Sequence, residues 1–338
     1  MSPSVEVAIP TYANNGTTIK LVLEKLTKQT YDDFNTLVVY KPSPNDFNTI
    51  KVLEDYSKNL SIKIVEQKEG KIEEAMNLIY SNAKGDILIT LDDDNIPSET
   101  WVEDHLKSHE LYPRFGALRG KITRTREIKH PLGHKLRNLL KQLVYRPYSK
   151  EFAGYVGYLT QYGIPTDIGR PPHSKVIKTI TLAAENTSIK REVYHDLKLP
   201  GYTFRGFHHE DILALHAIKK GFFTGEITDG AMNMRVEREE YGAPSLTLSK
   251  PKDLKGKLEL TIEHFLFPYA ANLMGYKPRG LTTLRLMVSL SRVGLYRRAA
   301  LAGIDLAIEG IENRLSPSEI RERLRDAVKG LEQLSLSS

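Results

Sequence analysis

The chain of 338 residues has no cysteine. That excludes disulfides, a thiol nucleophile and thiolate-bound zinc, so a metal ion must be held by oxygen or imidazole. No apolar run approaches the roughly 18 residues that cross a bilayer. The polar start Met1-Ser2-Pro3-Ser4 has no basic segment leading into an apolar one, and the expectation is a cytoplasmic protein. With 40% hydrophobic and 27% charged residues, disorder, collagen and a disulfide framework are excluded as well. The length allows two or three domains. Net charge is +6, yet positions 119–150 hold 10 Lys and Arg against the single acid Glu127, so the basicity is local.

Short apolar runs, Val5-Ile9, Leu37-Tyr40, Ile62-Val65 and Ile87-Leu91, alternate with helical patterns near 17–28, 46–58, 70–83 and 98–112. This rhythm predicts an α/β fold in which βαβ units build a mostly parallel sheet. The runs are continuous rather than alternating, as expected when helices cover both faces. Ligands in such sheets bind beyond the carboxyl ends of the strands. The segments to inspect are therefore Pro10-Thr11-Tyr12, Lys41 to Ser43, Glu66 to Lys71 and Asp92 to Asn95. A further β run, 176–183, leads to Glu185-Asn186 and a short helix from Ile189. From about Leu258 the chain reads as three or four helices, with Ser316-Pro317-Ser318-Glu319 as the start of the last. The expected division is 1–230 as a catalytic domain, 231–257 as a linker and 258–338 as a helical C-terminal extension.

Asp92, Asp93 and Asp94 follow the fourth run directly. Three adjacent carboxylates repel unless a cation joins them, and oxygen ligands suit Mg2+ or Mn2+ bridging a substrate phosphate. In an extended segment Asp92 and Asp94 share one face and Asp93 takes the other. A solvated acidic turn capping the next helix is the alternative. Gly70-Lys71 is not a Walker loop, because the first glycine and the Ser or Thr after the lysine are missing.

Five segments taken together resemble glycosyltransferase family 2, inverting nucleotide-sugar transferases with a GT-A fold. They are Val7 to Tyr12; Gly70-Lys71 with Ala75 and Asn77; Gly85-Asp86 to Asp94; Glu185 to Glu192; and Glu210-Asp211-Ile212 near Lys220-Gly221. They stand in the family's order over about 5–225. The resemblance implies that Asp92 and Asp94 are the DXD pair, with Asp94 on the metal and Asp92 on the ribose or metal. It places Pro10, Thr11 and Tyr12 in the nucleoside pocket, Lys71 near the diphosphate, and Asn77 and Asp93 on the donor. Glu185 and Asn186 then shape the acceptor pocket, with a strand-to-helix turn capped by Asn186 as the alternative, and Arg205 is a weaker candidate for phosphate contact.

The same resemblance makes Asp211 the general base and Glu210 its acidic neighbour; two acids at a helix start are also what the helix dipole favours. The sequence departs from the family after its second strand, where Tyr40-Lys41-Pro42-Ser43-Pro44-Asn45-Asp46 supplies no early acid. Asp46 either reads the base after a longer loop or caps the helix that follows. Adjacent His208 and His209 are not read as metal ligands, since sequence neighbours point apart.

A basic helix over 131–146 sets leucines against Lys135, Arg137, Lys141 and Arg146. It either packs its leucines inward or meets an anionic membrane surface or a polyprenyl-phosphate acceptor. Tyr145, Tyr148, Phe152, Tyr155 and Tyr158 follow it as a possible acceptor platform. Length and basic helix together resemble polyprenol-phosphate mannose synthases without membrane spans, which implies GDP-mannose as donor, with a UDP-hexose as competitor and a glycan or polyprenyl phosphate as acceptor. Nucleotidyl transfer is disfavoured by the absence of a Gly-rich loop after the first run, and nucleic-acid binding by the absence of a recognition-module signature.

Overall fold

The structure is a computed structural model that describes residues 3–124, 144–167, 175–244, 246, 251–291 and 294–336. In chain order the elements are β1 (Val5–Tyr12), α1 (Thr18–Leu26), β2 (Phe34–Lys41), α2 (Thr49–Tyr56), β3 (Ser61–Glu66), α3 (Ile72–Asn82), β4 (Ile87–Leu91), β5 (Asn95–Pro97), α4 (Trp101–Leu111), β6 (Phe115–Arg119) and β7 (Ile122–Arg124). Then come β8 (Tyr155–Leu159), β9 (Pro165–Asp167), β10 (Val176–Thr179), β11 (Asn186–Lys190), α5 (Arg191–Tyr194), α6 (His209–Lys219), β12 (Phe223–Ile227) and β13 (Asn233–Arg235). Four helices finish the chain: α7 (Leu254–Leu273), α8 (Leu281–Ser291), α9 (Gly294–Glu312) and α10 (Pro317–Leu336).

These elements form two compact units interleaved along the chain. One comprises the described residues of Met1–His134, Arg170–Lys198 and Leu213–Leu246; the other those of Lys135–Gly169, Leu199–Ile212 and Thr247–Ser338. The expectation of contiguous blocks parting near 230 and 258 therefore does not describe the packing. The reason lies in side chains: Tyr162 and Ile164 share a core with Phe265, Leu284 and Ile304, and the loop before α6 is tied to α7.

In the first unit the strand order β3-β2-β1-β4-β11-β6-β12-β10 carries the sheet. β1 pairs in parallel with β2 and β4, and β2 with β3. β11 is inserted antiparallel between β4 and β6. Val7, Ile9, Val38, Ile89 and Leu91 pack with Ile19, Leu23 and Trp101 in one core. β3 departs from the expectation that both faces of every strand are covered: as an edge strand it has no buried residue. A small second sheet, β5-β13-β7, joins the segment just after the acidic cluster to β13. The turn at Glu185-Asn186 leads into a strand rather than a helix, and the helix expected from Ile189 is the single turn α5.

In the second unit β8 and β9 form an antiparallel pair, and α7 packs against α9 and α10. The start of α10 is the expected capping arrangement, with the Ser316 N–H donating to Glu319 Oε2 at 2.8 Å. Phe152, Tyr155 and Tyr158 are buried, and Phe152 and Tyr148 lie against Tyr276. These rings are core, so the expected acceptor platform is not formed by them. The basic helix over 131–146 lies, up to residue 143, outside the described residues. No described helix is long and apolar enough to cross a membrane.

The contact between α7 and α9 depends on Gly303. A Cβ there meets Ile262 O at 2.5 Å and Phe265 Cβ at 2.9 Å, against a neighbouring backbone that has no room to move. Gly303→Val is expected to cost about 1–3 kcal/mol through overpacking, read as a lower urea midpoint at unchanged m-value.

Candidate active site

The first unit gathers its charged groups at the carboxyl ends of β1 and β4. Asp93 points inward. Its Oδ2 accepts from Thr11 Oγ1 at 2.6 Å and Asn14 Nδ2 at 2.8 Å, and its Oδ1 from Arg238 Nη1 at 2.6 Å. Arg238 Nη2 also donates to the carbonyls of Tyr12 and Ala13, at 2.8 and 3.1 Å. The Asp93–Arg238 pair thus clamps the loop after β1, where Ala13 and Asn15 both take positive φ. Thr11 and Asp93, expected on the donor, spend their polar atoms on this clamp.

Asp94 faces another way, in a turn closed by the Asn95 N–H on Asp92 O at 3.2 Å, not in the extended segment expected. Asp94 Oδ1 accepts from Asn95 Nδ2 at 2.8 Å, and Oδ2 lies 3.3 Å from Arg235 Nη2. The same guanidinium donates through Nη1 to Glu185 Oε2 at 2.9 Å. Burial, together with Glu185 and Asp94, raises Asp92 well above the ordinary carboxylate range. Burial pushes Asp94 up to about 6 against the pull of Arg235. Among the described residues Arg238 pairs with Asp93, and Arg235 with Asp94 and Glu185, while Asp92 is buried close to Glu185 and Asp94. A cluster of carboxylates at this place fits a divalent cation. Among the described residues no three acidic or imidazole side chains form a ligand set of their own, so the protein would supply one or two carboxylates and a diphosphate the remainder.

The other expected donor contacts cluster nearby in sequence and structure. Tyr12 is exposed, with Lys41 Nζ 5.3 Å from its ring centroid. Lys41 Nζ also donates to Gly70 O, drawing the end of β2 to the turn before α3, where Gly70 has φ +81°. Lys71 starts α3 with its N–H on Glu74 Oε2 at 2.7 Å, and Asn77 lies half-buried within that helix. Pro10 is half-buried near the end of β1. Asp46 Oδ1 accepts from the Thr49 N–H at 3.1 Å, which makes it a cap for α2.

Asn186 opens β11 and does not cap a helix. Its Nδ2 donates to Ala231 O at 2.9 Å and Lys121 O at 3.2 Å, and its Oδ1 accepts from Trp101 Nε1 at 2.8 Å and His105 Nε2 at 2.9 Å. Every hydrogen-bonding position of the amide is used. His105 is then the Nε2–H tautomer and accepts from Ser188 Oγ through Nδ1 at 2.9 Å, and burial pushes it down to about 4, keeping it neutral. A Cβ at Gly120 would meet Ala231 O at 2.1 Å and Asn186 Nδ2 at 2.7 Å, so only glycine allows this approach. The network fixes the first residue of β11, and with it the neighbouring Glu185.

Asp211 belongs to the second unit. It is buried at the start of α6, and its Oδ2 lies 2.6 Å from His208 Nδ1. His208 Nε2 lies 2.8 Å from His264 Nδ1 on α7. Burial, reinforced by Glu210, raises Asp211 well above the usual range, and burial pushes His208 down to about 3. Asp211 Oδ1 is buried without a hydrogen-bond partner among the described residues. Glu210, half-buried, has Oε2 3.3 Å from His209 Nδ1. Arg205, expected on phosphate, is instead paired with Glu259 at 3.2 Å, both side chains largely buried. The preceding loop hangs on buried Glu263: Oε1 accepts from the Phe204 and Arg205 N–H groups at 2.7 and 2.9 Å, and Oε2 from Phe207 N–H at 3.3 Å.

Sequence reasoning missed Arg235, Arg238, His264 and Glu263. The arginines are three apart just after a strand, a spacing with no chemical signature of its own. Nothing in an apolar helix pattern marks Glu263 and His264 as partners of a loop about 56 residues earlier.

Residues 6–166 match the family described as Glycosyl transferase family 2. Among solved structures, the chain is similar to TarS 1–349 from S. aureus at 13% identity, covering 99% of this chain and 91% of that one, with a TM-score of 0.50. It is similar to TarS 1–349 in complex with UDP-GlcNAc at 12% identity, covering 98% and 92%, with a TM-score of 0.53. A longer S. aureus TarS structure aligns at 14% identity and TM-score 0.54, over 98% of this chain but 55% of that chain. No match is found among curated proteins. The architecture is thus the GT-A glycosyltransferase fold, with its large mostly parallel central sheet and C-terminal helices.

Two expectations follow. Asp93→Ala strands the buried Arg238 guanidinium without its partner and is expected to cost about 3–5 kcal/mol; urea unfolding checks it, and Asp93→Asn should lose less. Glu263 supplies a pH dependence. Burial pushes it up to about 7 from an ordinary value near 4.5, so between those values the folded chain holds a proton that the unfolded chain has released. Its contribution to stability therefore falls as pH rises from about 4.5 to about 7, by a total on the order of 3 kcal/mol. Urea midpoints across that range should fall less steeply for Glu263→Gln than for the parent.

Proposed function

On the premise of a family 2 glycosyltransferase fold, we propose that the chain is an inverting, metal-dependent hexosyltransferase acting on a nucleoside diphosphate sugar. The observation that carries this reading is the buried group of carboxylates, Asp92 and Asp94 with Glu185 beside them, at the strand ends, where a sheet of this kind receives its ligand. Mg2+ or Mn2+ would be held by Asp94 and Asp92. When bound, the ion supplies electrostatic stabilisation to a departing diphosphate.

The chain's own residues divide the remaining work. Tyr12 and Lys41 bring an exposed ring and a cation to the end of β1, next to a loop held rigid by Asp93 and Arg238, which suits a nucleoside. Lys71 adds a positive charge at the start of α3. Arg235 balances Asp94 and Glu185 while the site awaits its ligand. Asp211 is the general base: it is buried, one of its carboxylate oxygens has no hydrogen-bond partner among the described residues, and burial makes it a stronger base than an ordinary aspartate. Attack on the anomeric carbon from the side opposite the diphosphate inverts its configuration and needs no covalent nucleophile.

GDP-mannose is the preferred donor, from the resemblance to polyprenol-phosphate mannose synthases, with a glycan or polyprenyl phosphate as acceptor. A UDP-sugar is the second reading, favoured by the UDP-GlcNAc complex of a similarly folded chain.

Ligands that bind only the folded state raise its stability with occupancy. In a thermal-shift series with GDP, UDP, GDP-mannose and UDP-GlcNAc, one base is expected to raise Tm in the presence of Mn2+, and Asp94→Ala to remove that rise while leaving the ligand-free Tm within a few degrees. No shift from any nucleotide, with or without Mn2+, refutes the donor site.

A further inference from the structure

The two histidines behind Asp211 have no part in the reading so far, yet their geometry is specific. His208 has φ +70°, a left-handed conformation that a non-glycine residue adopts at a cost. Its ring is held by Phe207, centroids 3.9 Å apart, and by Phe267 at 5.2 Å. Its backbone follows the loop whose amides converge on Glu263. The result is a linear chain: Asp211 Oδ2 to His208 Nδ1 at 2.6 Å, then His208 Nε2 to His264 Nδ1 at 2.8 Å.

Each of these bonds contains one hydrogen. In the ionised state in which Asp211 acts as a base its carboxylate only accepts, so His208 then donates from Nδ1, and the neutral imidazole has its lone pair on Nε2, which accepts from His264 Nδ1–H. We propose that His264 locks His208 in the Nδ1–H tautomer, that His208 thereby occupies Oδ2 of Asp211, and that Oδ1 is left as the one oxygen free to take the acceptor's proton. The inference rests on the reading of Asp211 as general base. In the transfer step the acceptor O–H proton passes to Asp211 Oδ1. The electron pair of that O–H bond forms the new bond to the anomeric carbon, and the bond to the diphosphate breaks with its pair on the departing oxygen. His208 and His264 keep their protons throughout; they are positioning residues and do not touch substrate.

The test begins with the intact chain labelled with 15N-histidine. The ring nitrogens of His208, assigned by their loss in His208→Asn, are expected to report the Nδ1–H tautomer; an Nε2–H or doubly protonated ring overturns the proposal. His264→Asp replaces a donor by an acceptor, so His208 should switch to Nε2–H and turn a lone pair toward Asp211. Release of nucleoside diphosphate from GDP-mannose and from UDP-GlcNAc, with Mn2+, reads the consequence. His264→Asp should lower kcat about 100-fold, the lower range of general-base catalysis, without changing donor KM. His264→Asn, whose Nδ2 can donate from the place of Nδ1, should retain the parent kcat. If Asp211→Asn is inactive but His264→Asp turns over like the parent, the chain is overturned and the base reading stands. If Asp211→Asn is fully active, the base reading falls and this inference with it.

Discussion

Crowding of negative charge at the end of β4 is the constraint on which the first unit is organised. Asp92, Asp93 and Asp94 sit side by side with Glu185 close to them, in a setting where burial weakens solvation of each charge. The chain answers from far away in sequence, with Arg235 and Arg238 brought in by β13 and the turn that follows it. β13 is placed by its pairing with β5, which starts one residue after Asp94. The same short sheet therefore positions the acids and the cations that restrain them. The two guanidinium groups offset part of the repulsion among these acids.

The arginines do different work. Arg238 is almost fully buried and engages Asp93 and two carbonyls, so it is part of the scaffold that shapes the loop after β1. Arg235 is more exposed and bridges Asp94 and Glu185. A planar guanidinium bridging two acids offers a ready counter-charge in the absence of a cation, and its geometry is one that a lysine at this place would not reproduce.

Much of this was legible in the sequence, for identifiable reasons. The first four strands and the helices between them follow from apolar runs and helical spacing, whereas Asp93 and Asp94 diverge in a turn and not through strand alternation. Of the two readings of Asp46, the Thr49 N–H supports the cap. What escaped is long-range. Asn186 looked like a turn residue because nothing nearby announces that Trp101, His105, Lys121 and Ala231 will surround it. Arg205 looked available because Glu259 comes 54 residues later. The two units interleave because residues far apart in sequence share a core, and periodicity has no access to that. β3 broke the rule of covered strands because an edge strand cannot be told from a central one by its own composition.

Hydrogen-bond accounting then separates scaffold from chemistry more sharply than residue type does. Asn186 uses every donor and acceptor it has, and Asp93 receives three donors from its own chain; both are tied into the scaffold. Asp211 keeps an entire oxygen in reserve although it is buried, and leaving an acceptor unpaired in such a place costs on the order of 1–3 kcal/mol. Folding gains nothing from that arrangement. The deficit is tolerated next to a histidine in a left-handed conformation, a second local cost within three residues of the first. Two unfavourable features at one helix start, each held by well-packed neighbours, accord with the proposed role of Asp211 as general base.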